Sequence, residues 1–289
     1  MNNSRIGFWG TSRFSVFILE EMRIGGILPT LIITMPPKPK GRGLELAPSE
    51  VKIWADKYGV PTTEPAEIKS EEFLKILGPK WDLFIVASYG KIIPREIIDM
   101  PKRGTLNVHP SLLPKLRGSS PLQSAILEDV PIGSSHEAGV TIMQIDEEVD
   151  HGPIVSQEKT LVENWPPKES QLEEILGRLG GKLLAKTIPP WLEGKIIPLK
   201  QKHEEASYTK KITKESGHID LADDPNQLYR KIRAFDVWPR AYFTTRRNNR
   251  DIRVIVTDAK IMEGKLIPTR VIPEGKHEMS YEEFLRGQK

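Results

Sequence analysis

At 289 residues, with 38% hydrophobic and 28% charged side chains, the chain is long enough for two domains or for one large domain with an appendage. No apolar run reaches the ~18 residues that a membrane helix needs, and the first eight residues pass into a strand-like pattern that leaves no room for a signal peptide, so a cytoplasmic protein is expected. The absence of cysteine excludes disulfides, thiolate nucleophiles and iron–sulfur clusters, while the modest net charge of +3 conceals 20 Lys+Arg against 14 Asp+Glu in residues 195–289.

In chain order, residues 5–9 (RIGFW), 31–35 (LIITM), 83–87 (LFIVA) and 105–108 (TLNV) are short and rich in apolar or β-branched residues, the signature of buried strands. Between them, residues 14–22, 49–58 and 70–77 carry helical periodicity, with Ser49 and Ser70 as N-caps. Alternation of this kind predicts an α/β fold whose parallel sheet is covered on both faces, with ligands beyond the carboxyl ends of the strands. Residues 140–144 and 154–157 read as two strands paired through an acidic loop. Residues 169–187 read as one amphipathic helix stopped by Pro189-Pro190. The polar stretch 198–220 reads as a surface linker, 221–234 as a helix, and 252–256, 259–262 and 266–271 as strands of a small β unit. Phe235 and Trp238 are expected in the core. The Arg246, Arg247, Arg250 and Arg253 cluster suits a charged hairpin tip and a phosphate-binding patch equally. Gly7-Phe8-Trp9-Gly10 does not make a dinucleotide fingerprint, and no Walker loop is present.

The chemistry concentrates around Asn107-Val108-His109-Pro110-Ser111-Leu112-Leu113-Pro114, with Arg117-Gly118 and, further on, Asp150-His151-Gly152. Asn107 and His109 are two apart at a strand end, so their side chains leave on one face. An amide and an imidazole aimed at one point suit a reaction that builds negative charge on a carbonyl oxygen, and a returning Asp150 would orient the imidazole. No protein nucleophile accompanies them, so the attacking group comes from the substrate. The histidines lack the spacing of metal ligands.

These residues resemble the active-site signature of the 10-formyltetrahydrofolate-dependent formyltransferases. Residues 35–43 (MPPKPKGRG) are similar to a loop found in the members that act on methionyl-tRNA, and residues 139–146, 232–239 and 273–287 extend the resemblance over almost the whole chain. It implies a Rossmann-like catalytic domain over residues 1–197, with a mostly parallel sheet. A linker (198–220) and a reduced, β-rich, oligonucleotide-binding-like module for tRNA (221–289) would follow. The implied reaction moves a formyl group from 10-formyltetrahydrofolate, a co-substrate needing no metal, to the α-amino group of methionine on initiator tRNA, in a monomer that binds no membrane. Asn107 and His109 would polarise the formyl oxygen, and Asp150 would hold the histidine and assist proton transfer. Ser111, Leu112, Leu113 and Pro114 would line the folate pocket, with Tyr89 and Gly90 shaping the same cleft. Arg42 would meet the tRNA acceptor end, with Lys38 and Lys40 adding phosphate attraction. His151 and the extra residues at 131–138 depart from the pattern, and His151 is expected to compete with His109 for Asp150. The rival expectations are an N-formyltransferase for an amino-sugar nucleotide and a catalytically idle tRNA-binding protein.

Overall fold

The computed structural model describes residues 4–40, 45–247 and 250–287. In chain order these form strands β1 (Ile6–Gly10), β2 (Leu31–Ile33), β3 (Lys38–Lys40), β4 (Glu45–Ala47), β5 (Thr62–Thr63), β6 (Leu83–Ala87), β7 (Thr105–His109), β8 (His136–Gln144), β9 (Ile154–Val162), β10 (Tyr242–Arg247), β11 (Arg250–Met262), β12 (Lys265–Pro273) and β13 (Met279–Ser280). The α-helices are α1 (Arg13–Ile24), α2 (Glu50–Tyr58), α3 (Glu71–Leu77), α4 (Arg95–Ile98), α5 (Pro121–Leu127), α6 (Glu169–Leu192), α7 (Pro225–Ala234) and α8 (Tyr281–Arg286). The chain divides into two compact units. One takes residues up to Arg117, Gly139–Thr160 and Glu173–Tyr208; the other takes Gly118–Ala138, Leu161–Leu172 and the residues from Thr209 onward.

The large sheet has seven strands in the order β5-β2-β1-β6-β7-β8-β9. The pairs from β5 through β7 are parallel and β7 with β8 is antiparallel, as the mostly parallel α/β pattern predicts. Every residue of β1 is buried, which is why its sequence runs apolar without alternation. Trp9 packs edge-on against Phe73, Phe84 and Tyr89, with ring centroids 5.2–5.8 Å apart, and these rings anchor the core of the first unit. Ser49 and Ser70 cap α2 and α3 by accepting from the backbone N–H groups of Lys52 and Phe73 at 3.0 and 3.2 Å.

Helix α6 departs from expectation: it runs on through Pro189 and Pro190 to Leu192. A proline keeps helical φ but forfeits its own N–H and crowds the carbonyl one turn back, and here the burial of Ile188 and Trp191, 1% and 7% exposed, in the last turn offsets that cost. The Trp191 indole also donates to the Arg103 carbonyl at 3.0 Å.

In the second unit, β10, β11, β12 and β13 form an antiparallel sheet in that order. Its core gathers Ile219, Leu228, Ile232, Val254, Val256, Val271 and Phe284. The two strands expected at 252–256 and 259–262 are one, β11, with register shifts at Val256, Asp258 and Ala259 where the pattern breaks. Helix α7 starts at Pro225 rather than at 221, because Asp224 caps it through the Gln227 N–H at 2.8 Å and proline suits the first helical position. Phe235 is buried at 2%, whereas Trp238, past the end of that helix, is 47% exposed and lies outside the core.

Candidate active site

Strand β7 carries both expected donors to the edge of the parallel part of the sheet. Its register sets Asn107 beside Val86 of β6 and Met143 of β8, and His109 beside Thr141. The acidic loop between β8 and β9 then returns Asp150 to the same end. Asp150 adopts φ +52°, in the left-handed region. Two residues on, a Cβ at Gly152 would lie 1.9 Å from the Gln144 carbonyl oxygen, so only glycine lets the loop come back this close.

One carboxylate oxygen receives both side chains. The Asn107 amide donates to Asp150 Oδ1 at 3.4 Å, and His109 Nδ1 lies 3.6 Å from the same atom. These are long contacts, beyond the usual range of a strong hydrogen bond. The far nitrogen of the ring, His109 Nε2, lies 3.0 Å from the Leu116 carbonyl oxygen. A carbonyl only accepts, so Nε2 carries its hydrogen and Nδ1 is the nitrogen turned to Asp150.

Asn107 and Asp150 stand at the head of a cleft of about 470 Å³, walled by Ile93, Met143 and Ile145 and rimmed by Arg95 and Glu147. Apolar walls with a few converging polar groups are the usual make-up of a small-molecule site. His109, 4% exposed, sits behind the pair.

Residues 111–114 are not brought into the wall of this cleft. The Ser111 hydroxyl donates to the Lys115 carbonyl at 2.6 Å, and the Leu113 N–H donates to the Thr141 hydroxyl at 3.1 Å. Gln157 also donates to the Leu113 carbonyl at 3.0 Å. In this arrangement Ser111 and Leu113, with Leu112 and Pro114 between and after them, shape the loop that carries Leu116 to His109. Tyr89 is also turned inward, 2% exposed against Trp9. Burial pushes its phenol up to about 12. Gly90, at φ +90°, turns the chain after it.

The structure pairs His151 with Asp146 rather than making it a rival of His109: Nδ1 lies 2.7 Å from Asp146 Oδ2, and the ring stacks on His203 with centroids 4.0 Å apart. The extra residues around 131–138 close a turn, with the Gly133 and Trp165 N–H groups donating to the Trp165 and Ser134 carbonyls at 2.7 and 2.8 Å. Of the three residues expected at tRNA, Lys38 is exposed on β3, which pairs with β4 in a hairpin. The backbone of Lys40 ends that strand, and Arg42 lies outside the described residues. In the Arg cluster, Arg253 stacks 3.6 Å over the Tyr242 ring and Arg247 donates to the Gly287 carbonyl at 2.7 Å, both serving the sheet.

Behind the site, Arg117 of the motif meets a partner with no sequence signal, Gln201. Arg117, 1% exposed, donates to the Gln201 amide oxygen from Nε and Nη2 at 3.1 and 2.7 Å, and its Nη2 lies 2.9 Å from His203 Nδ1. Gln201 in turn donates to the carbonyls of Asp150 and Gly152 at 2.9 and 2.7 Å. It belongs to the polar stretch whose composition suggests only a linker. Among the described residues no group of three or more His, Asp or Glu side chains is placed to hold a metal ion, and no helix is long and apolar enough to cross a membrane.

Sequence models of the formyl transferase domain and of the formyl transferase C-terminal domain match residues 6–188 and 211–265. A methionyl-tRNA formyltransferase of Geobacillus sp. (strain WCH70) is 35% identical over 305 residues, covering 98% of this chain and 94% of the relative. Among solved structures, the methionyl-tRNA formyltransferase from Clostridium thermocellum aligns with TM-score 0.59 at 18% identity, over 96% of this chain and 100% of the other. The N-formyltransferase from Helicobacter canadensis, solved with folinic acid and dTDP-3-aminofucose, aligns with TM-score 0.61 at 19% identity, over 93% and 94% of the two chains. At such identities the structural likeness speaks for the fold alone.

Proposed function

The chain belongs to the formyl transferase family, and from that premise we propose that it transfers the formyl group of 10-formyltetrahydrofolate to the α-amino group of methionyl-initiator-tRNA, as a cytoplasmic monomer. The observation that carries the chemistry is the convergence of Asn107 and His109 on Asp150 at the head of an apolar cleft. The near full-length likeness to methionyl-tRNA formyltransferases supports the choice of acceptor.

In this reading the folate lies in the cleft, with its formyl carbon at Asn107 and Asp150. The α-amino nitrogen attacks that carbon. As the tetrahedral oxyanion forms, the Asn107 amide donates to it, and a proton on His109 Nδ1 gives a second donor at the same place; one such donor contributes ~2.7–4 kcal/mol in comparable sites. Asp150 takes the proton released by the attacking amine. The carbon–N10 bond then breaks, the proton passes to N10, and tetrahydrofolate and the formylated amine leave. Neither a metal nor a protein nucleophile enters the sequence of steps.

The tRNA is assigned to Arg42, Lys38 and Lys40 around the β3–β4 hairpin and to the basic residues beyond 221. Guanidinium and ammonium groups attract phosphate. The deciding experiment offers the purified protein 10-formyltetrahydrofolate with methionyl-tRNA in one assay and with an amino-sugar nucleotide in another. Formylation of methionyl-tRNA is expected. Activity on the sugar alone would sink the proposed acceptor, and tRNA binding without any formyl transfer would sink the catalytic reading.

A further inference from the structure

We propose that Gln201, locked in orientation by Arg117, is a positioning residue that sets the Asp150 carboxylate against Asn107 and His109; the inference rests on the formyl-transfer reading of that site. Asp150 needs holding. Its backbone lies at φ +52°, a left-handed conformation that L-residues adopt rarely, and its carboxylate moves with whatever the backbone does. The Gln201 amide nitrogen donates to the Asp150 carbonyl at 2.9 Å and to the Gly152 carbonyl at 2.7 Å, gripping the turn on both sides of His151.

That grip works in only one orientation of the amide, and Arg117 decides it. A guanidinium has donors and no acceptor, so only Oε1 of Gln201 can face Arg117 Nε and Nη2. The NH₂ group is thereby directed at the two carbonyls. Both side chains are shielded from water, Gln201 being 4% and Arg117 1% exposed, so neither amide orientation nor partner exchange is averaged by solvent.

The same segment also holds the other member of the pair. The Ser207 hydroxyl accepts from the Leu116 N–H at 2.9 Å, and the Ser207 carbonyl accepts from the Arg117 N–H at 2.8 Å. These bonds fix the Leu116 carbonyl that faces His109 Nε2. Residues 201–207 therefore clamp both sides of the 3.6 Å approach between His109 and Asp150.

Gln201→Glu is the informative variant in the full-length protein. It keeps the shape and the acceptor for Arg117, even adding an ion pair, but turns an oxygen toward two carbonyl oxygens in place of the donors. The kcat for methionyl-tRNA formylation should fall ~10- to 100-fold, as expected for a misplacement near 1 Å. The KM values for tRNA and folate should stay within about threefold, since the variant leaves the substrate surfaces alone. On an Asp150→Ala background Gln201→Glu should add almost nothing, because its effect acts through Asp150. Amide hydrogen exchange over residues 146–152 should quicken in the variant, a readout independent of any substrate. Gln201→Met, which removes the grip without adding charge, serves the same cycle if the glutamate variant does not fold. Unchanged kcat, unchanged exchange, or a full additional loss on the Asp150→Ala background would each overturn the proposal. If the wild-type protein formylates an amino-sugar nucleotide and not methionyl-tRNA, the acceptor assignment fails, and the same cycle run on that acceptor still decides the role of Gln201.

Discussion

Arg117 in the first compact unit and Arg230 in the second are both almost wholly buried, at 1% and 5% exposure, yet they are compensated in different ways. Arg230 donates to the Val130 carbonyl at 2.8 Å and meets the Asp129 carboxylate at 2.7 Å, a carboxylate whose side chain is 96% exposed. Arg117 donates to an amide oxygen and a phenol, and its Nη2 faces an imidazole nitrogen; none of the three is a carboxylate. The difference matters because Coulomb attraction falls slowly with distance and tolerates an ångström of error, whereas hydrogen bonds to neutral acceptors demand direction. The pairing of Arg230 neutralises a charge at the corner between α5 and α7. That of Arg117 specifies an orientation, and the orientation is passed to the turn carrying Asp150.

The largest test of this contrast is at the end of the chain of bonds. Asp150→Ala or Asn107→Ala should lower kcat for formylation by ~100- to 1000-fold, the range for losing a group that meets the developing charge. Steady-state assays with little change in the tRNA KM would agree, and near-normal turnover would remove both residues from the chemistry. Next comes the direct comparison of the two arginines. Arg117→Met should cost roughly tenfold or more in kcat through the freed Gln201 amide. Arg230→Met should leave kcat unaltered and cost about 1 kcal/mol in a denaturant titration, because Asp129 remains in water and no buried charge is stranded. Equal kinetic losses from the two would break the distinction.

A smaller effect is expected for the residue assigned to the tRNA. Arg42→Ala should reduce kcat/KM for tRNA by about tenfold, roughly 1.4 kcal/mol, with folate KM unchanged; an unaltered efficiency would count against the loop. The smallest effect belongs to Tyr89. Its hydroxyl is buried without a hydrogen-bond partner among the described residues, so Tyr89→Phe should leave the folate KM alone and keep or slightly raise the melting temperature. A marked rise in folate KM would restore Tyr89 to the cleft.

The parts of this protein legible in its residues are those that depend on near neighbours. The all-apolar β1 and β6, the serine caps of α2 and α3, and the shared face of Asn107 and His109 all follow from spacing within one element. What is not legible there depends on what stands opposite. Pro189-Pro190 looks like a stop, and only the burial of Ile188 and Trp191 carries α6 past it. Ser111 and Leu113 resemble pocket-lining residues, but in the fold their polar groups are spent on Lys115, Thr141 and Gln157. Gln201 sits in a stretch with no periodicity, so nothing local distinguishes it from the solvated polar residues around it.

By itself, then, the sequence determined the alternating α/β architecture, the candidate residues Asn107, His109 and Asp150 and the family, because periodicity, capping and motif spacing are written within a few residues of one another. The tertiary structure alone decided that His151 turns to Asp146, that the cleft is walled by Ile93, Met143 and Ile145, and that a glutamine about fifty residues after Asp150 holds its turn. Those outcomes arise where distant segments return to one place. Which donor meets which acceptor there is settled by packing and the exclusion of water, neither of which is encoded in any short stretch of chain.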